Sequence, residues 1–252
     1  MIKEGDTVHL KGKKDSFFVI VEKDKEFSTH KGTIKFNDII GKNFGDTVLT
    51  HKGEEFFILK PTLYELILYG IKRYTQIIYP KDSAYITLKL GLTSGMKVLE
   101  SGIGSGALTI VMANALNPDG KIYVYEKEEK FLKNAINNLK LAKLDHIVIP
   151  HLHDLSQPIQ EKDFDAAFID VREPWLYIEN VKSVLKKGAV IGFLVPTTNQ
   201  VIEILKELKR LNFLDLEVEE ILLRSYKPVP DRLRPDDRMV AHTGYLIFAK
   251  NG

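Results

Sequence analysis

The chain has 252 residues, 44% of them hydrophobic and 28% charged, which suits one or two globular domains with a real core and excludes disordered and collagen-like classes. Lysine and arginine number 36 against 34 acidic residues, a formal net charge of +2, so no global positive field announces a polyanionic partner. Cysteine is absent, and with it go disulfide scaffolds, thiolate metal sites and cysteine nucleophiles.

Residues 1–61 carry short β-type runs, Phe17 to Val21 and Phe56 to Leu59, punctuated by glycines at 12, 32, 41, 45 and 53. Frequent turns between short strands predict a small β-barrel-like domain. Its charges nearly cancel, with eleven lysines, no arginine and ten acids, so a nucleic-acid appendage and a docking or oligomerisation module are both open readings. Met1 to Gly5 lacks the apolar core of a signal peptide, and no apolar run approaches the roughly 18 residues of a membrane span, so a cytoplasmic location is expected. Residues 62–252 then read as a second domain, entered through a helical connector over 62–95. The spacing of Leu63, Leu66, Ile67 and Ile71 predicts a helix over Thr62 to Tyr74.

Beyond the connector, strands and helices alternate. Met96 to Glu100 reads as a buried strand, Ala107 to Leu116 as a helix, Lys121 to Glu126 as a strand, and Glu128 to Leu144 as a helix with Phe131, Ala135, Leu139 and Ala142 on one face. Strands His146 to Leu152 and Phe164 to Asp170 follow, then helix Pro174 to Leu185, strand Ala189 to Val195 and helix Asn199 to Leu211. Leu214 to Tyr226 and His242 to Ala249 close the chain as two strands with no helix between them. Alternation of this kind predicts an α/β fold, a parallel sheet with helices on both faces and an antiparallel last pair. Five βα units and a terminal hairpin resemble the Rossmann-like, seven-stranded sheet of class I methyltransferases.

The first chemistry lies in Glu100-Ser101-Gly102-Ile103-Gly104-Ser105-Gly106, where a strand hands over to a helix. Glycines there permit a tight turn and close ligand approach, and the helix start offers free backbone N–H groups. A dinucleotide fingerprint needs its third glycine one position later, where Ala107 stands. The acid-x-Gly-x-Gly-x-Gly form resembles motif I of S-adenosylmethionine methyltransferases. Three more acids fall at strand ends: Glu126, placed to accept ribose hydroxyls, Asp154 and Asp170. A lone acid at such a position is commonly a helix cap. Four in register with a glycine loop point to a ligand at the carboxyl edge of the sheet.

The methyl acceptor is narrowed by what is missing. Asp170-Val171-Arg172-Glu173-Pro174-Trp175 lacks the compact acid-Pro-Pro-aromatic tetrapeptide of exocyclic-amine methyltransferases, and pyrimidine carbon-5 methylation normally uses a covalent cysteine. An endocyclic nitrogen such as adenine N1 has its lone pair in the ring plane, so the enzyme has only to align it and to stabilise the positive charge that develops. A carboxylate accepting from the N6 amine does both, and Asp170 is the candidate.

Two flanking segments, Tyr74 to Asp82 and Arg234-Pro235 with Met239 to Tyr245, join the glycine loop, Asp170 and Pro196 to Gln200. Together they resemble the tRNA (adenine-N1)-methyltransferases of the TrmI type over essentially the whole chain. The resemblance implies S-adenosylmethionine as cofactor, a homotetramer, and methylation of adenosine in the TΨC loop of tRNA at position 58, or also at 57. Neither a metal nor a membrane is expected as a partner. Carried over residue by residue, Gly102, Ile103, Gly104, Ser105, Gly106, Glu126, Asp154 and Asp170 would hold the cofactor, with Asp154 at the adenine amine. Asp170 would face the target base, with Tyr79 beside it.

Val171-Arg172-Glu173 departs from relatives that place Leu-Pro-Gln or Leu-Met-Glu there. His242 and Thr243 either line the base pocket or belong to the core. Of seven arginines, Arg224, Arg232, Arg234 and Arg238 fall within fifteen residues, as a phosphate surface or as an ion-paired turn among Asp231, Asp236 and Asp237. The competing readings are a protein isoaspartyl carboxyl methyltransferase, which shares motif I but not the flanking segments, and a catalytically silent tRNA-binding subunit.

Overall fold

A computed structural model describes residues 1–252, which divide into two compact units. The first comprises Met1–Lys72 with Asn137–Asp145. Its strands are β1 (Thr7–Lys11), β2 (Ser16–Ile20), β3 (Glu26–Thr29), β4 (Gly32–Lys35), β5 (Thr47–Leu49) and β6 (Glu55–Leu59). A four-stranded antiparallel sheet runs β2-β1-β6-β5, and β3 and β4 form a separate ribbon. Val8, Leu10, Ile34, Phe56 and Ile58 make its core.

The connector folds with this unit. Thr62 caps the short helix α1 (Leu63–Glu65): its hydroxyl accepts from the Glu65 N–H, and the Glu65 carboxylate accepts from the Thr62 N–H at 2.9 Å. The turn then widens, and the Ile71 N–H closes on the Leu66 carbonyl at 2.9 Å. The helix expected to reach Tyr74 stops at Gly70, because Ile71 is extended. A β-carbon at Gly70 would stand 3.0 Å from the Phe18 ring, so the connector packs on β2 and the unit runs to Lys72, past the expected boundary at 61. Residues 137–145 are held to it by Thr7 Oγ1 donating to the Leu141 carbonyl and by the Lys143–Asp6 ion pair, both at 2.7 Å.

The second unit comprises Arg73–Ile136 and His146–Gly252. Its helices are α2 (Pro80–Lys89), α3 (Ala107–Leu116), α4 (Glu129–Leu141, which runs on into the first unit), α5 (Ile178–Lys182) and α6 (Thr198–Arg210). Strands β7 (Lys97–Ser101), β8 (Lys121–Glu126), β9 (Val148–Leu152), β10 (Phe164–Ile169), β11 (Leu185–Val195) and β12 (Leu214–Glu219) join a later strand, β15 (Tyr245–Lys250), in one sheet. Between β12 and β15 lies a two-stranded ribbon of β13 (Tyr226–Lys227) and β14 (Arg234–Pro235). The order across the sheet is β12-β15-β11-β10-β7-β8-β9, and β15 runs antiparallel to both neighbours. This is the expected seven-stranded α/β sheet.

Parallel strands covered on both faces are apolar along their buried length, as β10 is from Ala166 to Ile169. Ala167 and Ile169 join one core cluster with Ile178 and Val181 of α5 and with Ile204 and Leu208 of α6, while Ala166 and Phe168 are buried on the other face. No helix is long and apolar enough to cross a membrane.

Several element boundaries differ from expectation. The helix foreseen over Pro174 to Leu185 is a 3-10 turn, Pro174–Leu176, followed by α5, because Tyr177 sits at φ −114° and ψ −6°. β11 starts four residues before Ala189, since Leu185 already pairs with Phe164 across a register shift. Lys143 at φ 58° ends the long helix before Leu144, and Asp145–Ile147 form a 3-10 turn before β9. The strand foreseen from Leu214 to Tyr226 stops at Glu219; apolar Leu222 and Leu223, which suggested its continuation, are exposed. His242 precedes the last strand, which begins at Tyr245.

Gly192 lies in the centre of the sheet, where a β-carbon would come within 2.8 Å of the Phe168 ring and 3.0 Å of the Phe248 ring. Gly192→Ala is expected to lower stability by about 1–3 kcal/mol through overpacking, checked by denaturant unfolding against the wild type.

Candidate functional site

β7 and β10 are neighbours in space, yet their following helices cover opposite sides of the sheet. Ligands bind open α/β sheets at such a crevice. A cavity of about 460 Å³ opens at this edge, within the range of small-molecule and cofactor sites.

The glycine loop forms its floor. Gly102 has φ +87°, and a β-carbon there would stand 2.0 Å from the Asp170 carbonyl oxygen, so no side chain fits. Gly104 (φ +51°) and Gly106 (φ +78°) also take the left-handed region, and Gly106 is the N-cap of α3. The loop is tied to its neighbours by Ser101 Oγ donating to the Tyr125 carbonyl at 3.0 Å and by the Asp170 N–H donating to the Ser101 carbonyl at 2.8 Å. Ser105 is buried, and its oxygen accepts from the N–H groups of Tyr74 and Thr75 at 3.1 and 3.3 Å, so its side chain holds the 74–75 segment against the loop.

Gly102, Ile103, Gly104, Ser105, Glu126, Asp154 and Asp170 all line this one cavity, while Gly106 stands just behind it. Glu126, at the end of β8, accepts from the Glu128 N–H at 2.9 Å. Asp154 Oδ1 accepts from the Ser156 N–H at 2.8 Å, and that bond holds its carboxyl below the usual range. Asp170 follows β10 and is partly buried in the cavity lining, and burial pushes its carboxyl up to about 7.

Glu100 belongs to the motif but is not among the residues that the resemblance assigns to the cofactor. Its side chain is buried at 2% exposure, Oε1 accepts from Thr109 Oγ1 at 3.0 Å, and Oε2 is buried without a partner. Burial, with the Asp170 and Glu126 charges added, pushes it up to about 8. Its place in the motif was visible in the sequence; its desolvation was not. The segment Thr75 to Ile78 and the apolar side chains of Phe131 and Leu155 also line the cavity without a motif to announce them.

The remaining candidates lie elsewhere. Tyr79 is half-buried at the N-cap of α2, where its carbonyl accepts from the N–H groups of Asp82 and Ser83, both at 2.9 Å; it is next in chain to the lining residues Ile77 and Ile78. Thr243 Oγ1 accepts from Lys81 Nζ at 2.6 Å and donates to the buried Asp82 at 2.8 Å, so its hydroxyl is committed to an internal network. His242 is neither core nor cavity lining: it is exposed, Nδ1 meets Glu220 at 2.6 Å and Nε2 meets the Pro196 carbonyl at 2.8 Å. Glu220 first, then Pro196, raises its pKa, because both acceptors favour the imidazolium. Arg234 pairs with Asp237 at 3.0 Å on the β13–β14 ribbon, the ion-paired-turn alternative for that residue.

An acid-lined cavity with a side-chain-free floor and an unpartnered buried carboxyl oxygen fits a nucleoside cofactor that carries positive charge, as S-adenosylmethionine does. Comparison with known proteins agrees. The family model described as tRNA methyltransferase complex GCD14 subunit matches residues 55–233, and one described as TrmI-like N-terminal matches residues 1–48. The chain is 32% identical to the tRNA (adenine(57)-N(1)/adenine(58)-N(1))-methyltransferase TrmI of Methanocaldococcus jannaschii, over 90% of this chain and 88% of that one. Among solved structures, a tRNA (m1A58) methyltransferase TrmI from Aquifex aeolicus superposes with a TM-score of 0.81 at 42% identity, covering 100% of this chain and 98% of the other. A protein described as a SAM-dependent O-methyltransferase from Thermotoga maritima superposes at 0.87 with 45% identity, covering 99% and 94%.

Glu100 keeps its proton in the folded chain well above the pH at which an unfolded glutamate loses it. Its contribution to stability is therefore present below about pH 4.5 and is lost as pH rises towards about 8. Glu100→Gln is expected to gain stability relative to the wild type between pH 5 and pH 8. Thermal melting of the ligand-free protein across that range checks this; parallel pH curves would contradict it.

Proposed function

The chain belongs to the TrmI-type family of tRNA (adenine-N1)-methyltransferases, and from that membership we propose that it transfers a methyl group from S-adenosylmethionine to N1 of adenosine 58 in the TΨC loop of tRNA, giving 1-methyladenosine. The observation that carries the reading is Asp170, a desolvated carboxyl at the switch point, in contact through its backbone with the one loop position where a side chain cannot fit.

S-adenosylmethionine, when bound, supplies an electrophilic methyl group on a sulfonium. The chain's own residues bind and orient. Gly102 and Gly104 leave room for close approach, Glu126 is assigned to the ribose hydroxyls, and Asp154 offers Oδ2 to the adenine amine. Glu100, whose Oε2 is buried without a partner and whose carboxyl burial pushes up to about 8, gains its charge more readily when a cation is bound beside it. Asp170 accepts from the N6 amine of the target base, which aligns N1 and stabilises the positive charge that grows on the ring. No strong base is needed, because N1 carries no proton to be removed. Tyr79 is the aromatic assigned to the extruded adenosine. Unstacking that base costs a few kcal/mol, which contacts to the tRNA backbone must offset; Arg224, Arg232 and Arg238, which have no carboxylate partner, are assigned to that surface. The family resemblance also supports a cytoplasmic homotetramer, for which light scattering should read four times the chain mass.

Incubation of the protein with methyl-labelled S-adenosylmethionine and unmodified tRNA should give 1-methyladenosine at position 58. Methylated protein in place of methylated tRNA would favour carboxyl methyl transfer instead. Asp170→Ala should bind the cofactor with little change while turnover falls by about 10²-fold or more. Because Asp170 must be ionised, and burial raises its pKa to about 7, wild-type kcat/KM should rise with pH through that value and then level. A flat profile between pH 6 and pH 8 would remove Asp170 from the role.

A further inference from the structure

Arg172 is unexplained by the site as described. It lines the cavity two residues beyond Asp170. Six carboxylates line the same cavity, those of Glu100, Glu126, Glu128, Asp154, Asp170 and Glu173, yet Arg172 pairs with none of them. Arg210 and Arg234, by contrast, both form ion pairs. Nor does its charge depress Asp170, whose carboxyl responds to burial alone.

Its backbone is nevertheless fixed. Gln200 Nε2 donates to the Arg172 carbonyl at 3.0 Å, and Gln200 Oε1 accepts from Thr197 Oγ1 at 2.8 Å, both in the segment that starts α6. The structure therefore presents an exposed arginine on an anchored backbone, in the lining of a pocket whose own acids leave it unpaired.

Two electrostatic requirements meet here. The acidic side chains in the cavity lining repel a polyanion, so a cation among them favours its entry. A bare cation close to the target base would oppose the positive charge that develops on N1. Both are met if the guanidinium is neutralised by an anion that arrives with the substrate. The planar fork of arginine suits a phosphate in two-point contact.

We propose that Arg172 binds a backbone phosphate of the tRNA strand next to the target adenosine and so positions that nucleotide over Asp170. This rests on the reading of the chain as a tRNA methyltransferase. The other anion within the site's chemistry is the methionyl carboxylate of the cofactor, and the test separates the two.

Arg172→Gln and Arg172→Lys would be compared with the wild type in three measurements: tRNA binding by fluorescence anisotropy across a salt series, S-adenosylmethionine binding by calorimetry, and steady-state turnover. Arg172→Gln should weaken tRNA binding and raise the tRNA KM by about tenfold at low salt, and should flatten the slope of log affinity against log salt by about one phosphate contact. Cofactor affinity should stay as in the wild type. Arg172→Lys should recover the slope but only part of the affinity, since an ammonium keeps the charge and loses the fork. Unchanged tRNA affinity and salt slope would overturn the proposal, and weakened cofactor binding with unchanged tRNA binding would assign the guanidinium to the cofactor carboxylate. The underlying reading fails separately. A wild type that binds tRNA with the Arg172-dependent slope but forms no 1-methyladenosine keeps the contact and loses the function, whereas equal slopes with normal product do the reverse.

Discussion

Everything at the site follows from how closely the carboxyl ends of β7 and β10 approach. The Asp170 N–H reaches the Ser101 carbonyl at 2.8 Å, and a β-carbon on residue 102 would lie 2.0 Å from the Asp170 carbonyl oxygen. Two backbones in that contact leave space for hydrogen only, so residue 102 is glycine with φ +87°. The same contact sets Asp170 at the lip of the glycine loop and lets the loop turn at once into α3. The floor of the cavity and the position of Asp170 are thus fixed by one another.

Burial then gives these acids their chemistry. Glu100 and Asp170 are held where water cannot stabilise their charge, so each clings to its proton towards neutral pH. A cationic ligand offers what water does not, and its arrival favours the ionised forms. The cavity is in this sense suited to a positively charged ligand. Arg172 stands in the same lining with no acid of the cavity as its partner.

Much of this was legible in the sequence, and the physical reason is locality. The buried strands β7, β8 and β10 read correctly because the centres of parallel strands covered on both faces are apolar, as at Val98-Leu99, Ile122 to Tyr125 and Ala166 to Ile169, and α3 read to its end residues because Gly106 and Asn117 bound it. The glycine spacing and the acids at strand ends located the cavity. Errors gathered where local pattern and tertiary pairing part. Ile221 to Leu223 look like strand but are apolar residues on an arm outside the sheet, and Lys186 to Gly188 look like a turn but are carried into β11 by the pairing of Leu185 with Phe164.

The sequence by itself determined the fold class, the order of elements and the identity of the acids, because periodicity, glycine placement and strand-end position are properties of neighbouring residues. Only the tertiary structure decided that Glu100 is desolvated with an orphaned oxygen, that Thr243 and His242 are committed to Asp82, Glu220 and Pro196, and that Arg172 is left without a partner. Those outcomes depend on what the rest of the chain brings within a few ångströms of a side chain, and no spacing along the sequence encodes that distance.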